Sequence, residues 1–247
     1  MHIPDGILPA PVCIGGYALA APLLGYALRN INRMPDVTEQ IPKASLLTAA
    51  FFIASSIHIP IPPASVHLVL NGLLGAVLGY FSVPAIAIGL FLQAVMFGHG
   101  GLTTLGINTV MMGVPALLAA WVFRLRHRLG QRVGRLGARR TDLLFAFLAG
   151  TIGLGLAAII FFGLILATLP SGLDAQAERV AVYGLVASHV PLALIEGVFT
   201  AMLVGFLRRV KPELLPDSAY WDGSKQPGAN QQSTGKSSGN STGGRAA

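Results

Sequence analysis

The first residues of the chain, Met1-His2-Ile3-Pro4-Asp5-Gly6, bring three kinds of nitrogen to one place. An α-amine, the amide nitrogen of His2 and the Nδ1 of its side chain can close a five-membered and a six-membered ring on a single ion. One position of a square plane is then still open. Nitrogen-rich square-planar geometry suits Ni(II) and Cu(II), and suits Mg(II), Ca(II) or structural Zn(II) poorly. The amine titrates near ~8, so a metal displaces its proton at neutral pH without further help. His is bulky, and the initiator Met is therefore expected to stay in place. Pro4 followed by Asp5-Gly6 favours a turn, which folds the terminus back on the rest of the molecule. A His at position 2 carries little weight alone, and the plane needs a fourth donor.

Two further histidines are candidates for that donor. His58 opens the run His58-Ile59-Pro60-Ile61-Pro62-Pro63, which reads as an extended, proline-stiffened segment. His67 begins a new apolar stretch, and Asn71 follows one helical turn later, where it can steady the imidazole by a hydrogen bond. His67 is the better ligand on this reading, because packing locks the helix that carries it. His99, in Gly98-His99-Gly100-Gly101, sits on a flexible loop suited to gating; a lone loop histidine is otherwise a solvated side chain. His127 lies in a basic stretch and reads as solvated. His189 and Glu196 are two helical turns apart and share a face. A carboxylate within an apolar helix is a functional candidate by default. Nothing acidic stands near Glu196 to relay protons, so both residues read as polar contacts that fix helix packing.

The elements that must position these groups follow from composition. Of 247 residues 53% are apolar and 11% are charged, against about 25% charged in an ordinary soluble domain. The mean hydropathy is +0.66. Such a chain lacks the polar skin of a cytosolic enzyme, and has too much apolar surface to remain disordered in water. One Cys excludes a disulfide framework and a Cys-rich metal cluster. Seven apolar stretches, at about 10–29, 44–58, 65–80, 84–98, 102–123, 142–168 and 180–208, approach or exceed the ~18–20 residues that cross a bilayer. The expected fold is an all-α integral membrane protein of about seven transmembrane helices. Three stretches are short, which points to sheltered or re-entrant helices, and the last two are long enough to tilt or protrude.

With the N-terminus outside and seven crossings, every Lys and Arg except Arg179 falls on the cytoplasmic side, among them Arg29, Arg33, Lys43, Arg124, Arg126, Arg208 and Arg209. The positive-inside rule accounts for this distribution. The net charge of +7 is thus explained by topology and lipid headgroups, and not by nucleic acid. Residues 1–9 form an external chelating loop on this reading, 10–212 the transmembrane domain, and 213–247 a cytoplasmic, largely disordered tail. The start reads as mature rather than as a signal peptide, since no basic residue precedes the apolar run. Small residues four apart, Gly16 with Ala20, Ala21 with Gly25, Gly72 with Ala76 and Gly75 with Gly79, are spaced for close helix contact. On the first helix such a face can instead dock a second membrane subunit. An intramembrane metalloenzyme would need an activating carboxylate beside the metal, and no His-Glu-x-x-His is present. A stand-alone carrier would show more intramembrane charge or an internal repeat.

Several motifs in order resemble the CbiM/NikM family, the substrate-binding membrane subunits of cobalt and nickel energy-coupling-factor transporters. They are Met1 to Gly6, Ser65-Val66-His67 through Asn71-Gly72 to Gly75, Leu92-Gln93 through Gly98-His99-Gly100-Gly101, Leu105-Gly106-Ile107-Asn108, Met112-Gly113-Val114-Pro115, and His189-Val190-Pro191 with Glu196-Gly197 near Thr200. The resemblance covers about 1–210. It implies a seven-helix subunit of the bacterial or archaeal cytoplasmic membrane, with the metal in a square plane formed by the amine of Met1, the amide and side chain of His2, and His67. Asp5, His58, Asn71, Gln93 and His99 become candidates for supporting or gating that site. It also implies a transmembrane coupling subunit, paired cytoplasmic ATPases and often a small accessory membrane subunit as partners. No cofactor is implied; the ion is cargo. The absence of a Gly-x-x-x-x-Gly-Lys-[Ser/Thr] phosphate loop agrees with a separate ATPase. The Pro-Asp-Gly start and the square plane favour Ni(II), with Co(II) the alternative.

Overall fold

The computed structural model describes residues 2–34, 37–57, 59–61, 64–130, 135–168 and 175–216. Met1, His58 and the tail beyond 216 lie outside these, and with them the amine, one candidate imidazole and most of the expected disordered segment. Among the described residues run seven α-helices: α1 (Ala10–Ile31), α2 (Val37–Ser56), α3 (Asn71–Leu78), α4 (Ser82–Phe97), α5 (Leu105–Gly130), α6 (Arg135–Thr168) and α7 (Ala175–Val210). A three-residue antiparallel ribbon separates α2 from α3. Its strands β1 (Ile59–Ile61) and β2 (Ala64–Val66) pair in the register Ile59 to Val66 and Ile61 to Ala64, which gives the proline-rich run its extended form.

Among the described residues five stretches are long and apolar enough to cross a bilayer: Ala10–Ile31, Asn71–Phe97, Leu105–His127, Arg139–Thr168 and Ala187–Val210. The chain is a multi-pass membrane protein. Seven were expected, and two features account for the difference. Glu39, Gln40, Lys43, Ser45 and Thr48 dilute the apolar character of α2. The run Asn71–Phe97 folds back on itself. His67, just before α3, and His99, just after α4, have ring centroids 5.7 Å apart. The chain therefore leaves and returns to the same end of the bundle. Its turn, a short 3-10 segment at Gly79–Phe81, lies against α1, with the Tyr80 and Tyr26 rings 5.9 Å apart. Gly79 has φ +56° and ψ −122°, a backbone state that essentially requires glycine, and so permits the reversal.

Close crossings fix the helices around this hairpin. A Cβ built on Gly16 would lie 2.7 Å from Ile107, and one on Gly106 would lie 2.6 Å from Tyr17, so α1 and α5 touch backbone to backbone. Gly72 of α3 meets Gly150 of α6 in the same way, Gly75 meets Ala116 of α5, and Gly150 meets Gly197 of α7. By contrast Ala21 and Gly25 point away from the bundle. The main apolar core, with Phe51, Leu74, Leu78, Ile86, Met112 and Leu154, fills the space between α2 and α7 through α3 and α4. A smaller core of Ile3, Leu8, Cys13, Ile107 and Met111 seats the N-terminal segment on α1 and α5.

Candidate metal centre

Residues 67–70 should continue the helix on hydropathy alone, yet they are not helical, and α3 begins only at Asn71. Non-helical backbone at membrane depth is tolerated only where protein satisfies its polar groups. Glu196, 1% exposed on α7, does this. Its carboxylate accepts the Val69 N–H at Oε1 and the Leu70 N–H at 3.1 Å. Leu70 itself is left-handed, with φ +56°, so the chain turns sharply between the ligand segment and the helix. His67, 5% exposed, is held two residues from this tie.

Asn71 does not support His67. Its Nδ2 donates to the Gly153 carbonyl at 2.9 Å and its Oδ1 accepts the Gly72 N–H at 2.9 Å. It seals the α3–α6 crossing, because the helix starts where the sequence placed its second turn. Gln93 likewise works elsewhere: its Nε2 donates to Ser55 Oγ and to the Phe52 carbonyl across the α2–α4 seam. His189 is buried against the edge of Phe162, ring centroids 5.5 Å apart, with Ser188 Oγ 3.4 Å from its Nδ1.

The N-terminal segment is gripped from two sides. Ile3 is fully buried, and its N–H donates to Asn108 Oδ1 at 3.1 Å. Its carbonyl accepts Asn108 Nδ2 at 3.1 Å and Thr104 Oγ1 at 2.7 Å. Asp5 spans the turn into α5, accepting the N–H groups of Leu102 at 3.1 Å, Thr103 at 3.0 Å and Thr104 at 3.3 Å, together with the Thr103 hydroxyl. That hydroxyl holds the Asp5 carboxyl below its usual value; desolvation opposes the shift and the three N–H groups reinforce it. Only a residue without Cβ fits at Gly101, since a Cβ there would overlap the Asp5 side chain. The sequence alone does not single out Asn108 and Thr104 as site residues. Their signal was available: two polar side chains four apart near the start of an apolar helix.

These anchors bring His2, His67 and His99 together. One ring nitrogen from each lies within 4.8 Å of the other two, and among the described residues this is the group arranged to hold a metal ion. The His2 and His67 rings are nearly parallel, 16° apart with centroids at 5.1 Å, while His99 stands at 73° to His2 with centroids at 4.6 Å. Neutral imidazoles without a carboxylate in the group form a nitrogen-donor site for a borderline transition metal, not an oxygen cage for Mg(II) or Ca(II).

The CbiM family, described as the cobalt uptake substrate-specific transmembrane region, matches residues 2–214. The chain belongs to the CbiM family. A relative in Haemophilus influenzae, named as a metal transport protein, is 34% identical over 216 residues, which cover 87% of this chain and 97% of the relative. The fused nickel transport protein NikMN of Rhodobacter capsulatus is 34% identical over 228 residues, 87% of this chain and 64% of that longer protein. A crystal structure of a truncated transition metal transporter superposes with a TM-score of 0.69 at 25% identity, covering 85% of this chain and 99% of the other. The matched CbiM region thus takes in His2, the hairpin, Glu196 and the C-terminal 3-10 turn, and stops before the polar tail.

Proposed function

We propose that this chain is the substrate-capture subunit of an energy-coupling-factor importer in the cytoplasmic membrane, and that its cargo is Ni(II), with Co(II) the alternative. The reading rests most heavily on His2 lying against His67 under a double backbone clamp, because a chelate at a chain end needs such a fixed partner. The amine of Met1, the amide and Nδ1 of His2, and one nitrogen of His67 supply the four donors. Amine and amide each lose a proton on binding, so affinity rises with pH. The hairpin supports seven crossings with the histidine end outside, and the basic residues at the other end support a cytoplasmic C-terminus. A coupling subunit, paired ATPases and a small accessory membrane subunit complete the importer. The family description names cobalt and the Rhodobacter capsulatus relative is named for nickel, while a planar four-nitrogen set favours Ni(II).

The test is to purify the full chain with Ni(II) and Co(II) in competition, count bound ions and record the absorption spectrum. One diamagnetic, yellow Ni(II) per chain, lost on adding a residue before Met1 or in His67→Ala, is expected. Preferential Co(II) would replace the cargo and leave the site. Undiminished binding with a blocked amine would overturn the chelate.

A further inference from the structure

The square plane has four positions, and the Met1–His2 chelate with one imidazole fills them. Two imidazoles, His67 and His99, nevertheless stand within 4.8 Å of His2 and of each other. One of them is outside the plane. His67 is buried, and its segment is tied to α7 through Val69 and Leu70. His99 is half-buried between Gly98, at φ +59°, and Gly100, at φ +82°. Its ring is turned 73° from His2 and 80° from His67. A rigid donor fits the resting plane. A donor set across the plane, on a backbone of two left-handed glycines, fits a position above it.

We infer that His99 is the exchange ligand of this site: it takes the ion first on capture, and takes it back on release. This rests on the square-planar reading above. Planar d8 ions exchange ligands by adding a fifth donor above the plane and then losing one from within it, so a site of four fixed nitrogens and no entering ligand is slow in both directions. On capture a bond forms between a His99 nitrogen and the ion as a water leaves. Amine, amide and the Nδ1 of His2 then bind, each displacing a water, and the first two release a proton to solvent. His67 closes the plane as the bond to His99 breaks. Release reverses these steps, and no electron is transferred.

The full chain in detergent, with Ni(II) alone as the probe, tests this by stopped-flow absorption. Binding is followed on mixing, and release on dilution into excess chelator. In His99→Gln both rates fall by about tenfold, equivalent to about 1.4 kcal/mol on the barrier, so their ratio is preserved. In His99→Gly, added imidazole restores the release rate, which a purely structural role would not allow. Faster release with weakened affinity would overturn the inference by making His99 a resting ligand. Unchanged rates, or no rescue by imidazole, would overturn it as well. If the parent chain binds no Ni(II), or His67→Ala binds as tightly, the planar site itself has failed; if those controls hold and only the rates disagree, His99 alone has.

Discussion

The two ends of the bundle each fasten a segment outside the α-helices, 2–5 at one end and 211–216 at the other, to the ends of helices, and they do so with opposite chemistry. At the histidine end an amide, hydroxyls and the carboxylates of Asp5 and Glu196 grip backbone, and three imidazoles gather beside them. At the basic end cations do the gripping. Arg126, 5% exposed, lies 3.6 Å over the Phe123 ring, pairs with Asp142 at 3.5 Å and donates to the Pro216 carbonyl. Arg208 shares Asp142, Lys43 donates to the Leu214 carbonyl at 3.2 Å, and His127 Nε2, expected to be solvated, stands 3.2 Å from the Pro216 carbonyl. One end gathers three imidazoles into a group that could hold a metal ion; the other is locked by charges already in place. Donors that must receive a metal cannot be committed to protein anions.

Four measurements would break or sharpen this contrast. The largest effect is expected from Glu196→Ala, which leaves two N–H groups without an acceptor at membrane depth and costs about 1–3 kcal/mol for each. Both thermal stability in detergent and Ni(II) affinity should collapse, and retained affinity would detach His67 from α7. Arg126→Ala removes a buried cation from Asp142 and Pro216 at a cost of about 3 kcal/mol. Melting temperature should fall while Ni(II) affinity stays within about twofold, whereas a matching loss of affinity would show that the two ends are not separable.

Asn108→Ala takes both amide partners from Ile3, with Thr104 still holding the carbonyl, and costs about 1–2 kcal/mol. Affinity for Ni(II) should fall roughly tenfold by titration, with a small change in melting. The smallest effect concerns pH and Asp5. Its carboxyl is held below the usual value, so its contribution is complete above ~4 and is lost as pH falls through the lower folded value. Hydrogen exchange at Leu102 and Thr103, corrected for intrinsic rates, should show constant protection from pH ~5 to 8 and loss only below. Protection that fades near pH 6 would assign the clamp to another group.

Much of this was legible from residue types. Hydropathy located the helices, although α2 and α6 begin seven residues earlier than expected and α3 six residues later, and the three histidines His2, His67 and His99 that the residue types single out lie together. Three things were not. An apolar run reads alike as helix or extended chain, so 65–80 looked like a span; only Glu196, more than a hundred residues away, decides that 67–70 stays open. Helical spacing places Asn71 beside His67, and this fails because the helix starts at Asn71 itself. Asn108 sits in the first turn of an apolar helix and Thr104 just before it, where short polar residues commonly bond nearby backbone; that both face Ile3 accompanies the α1–α5 crossing at Gly16 and Gly106.

The tie between Glu196 and the ligand segment also has a mechanical meaning. From Leu192 to Val210, α7 is helix without proline, and it runs from the carboxylate that holds Val69 and Leu70 to the arginine that grips Asp142. Glu196 and Arg208 are separated by about 18 Å along that axis. α7 therefore joins the segment that carries His67 to the basic face through one uninterrupted helix. A slide or tilt of that helix has a direct route to Val69 and Leu70 through a single side chain.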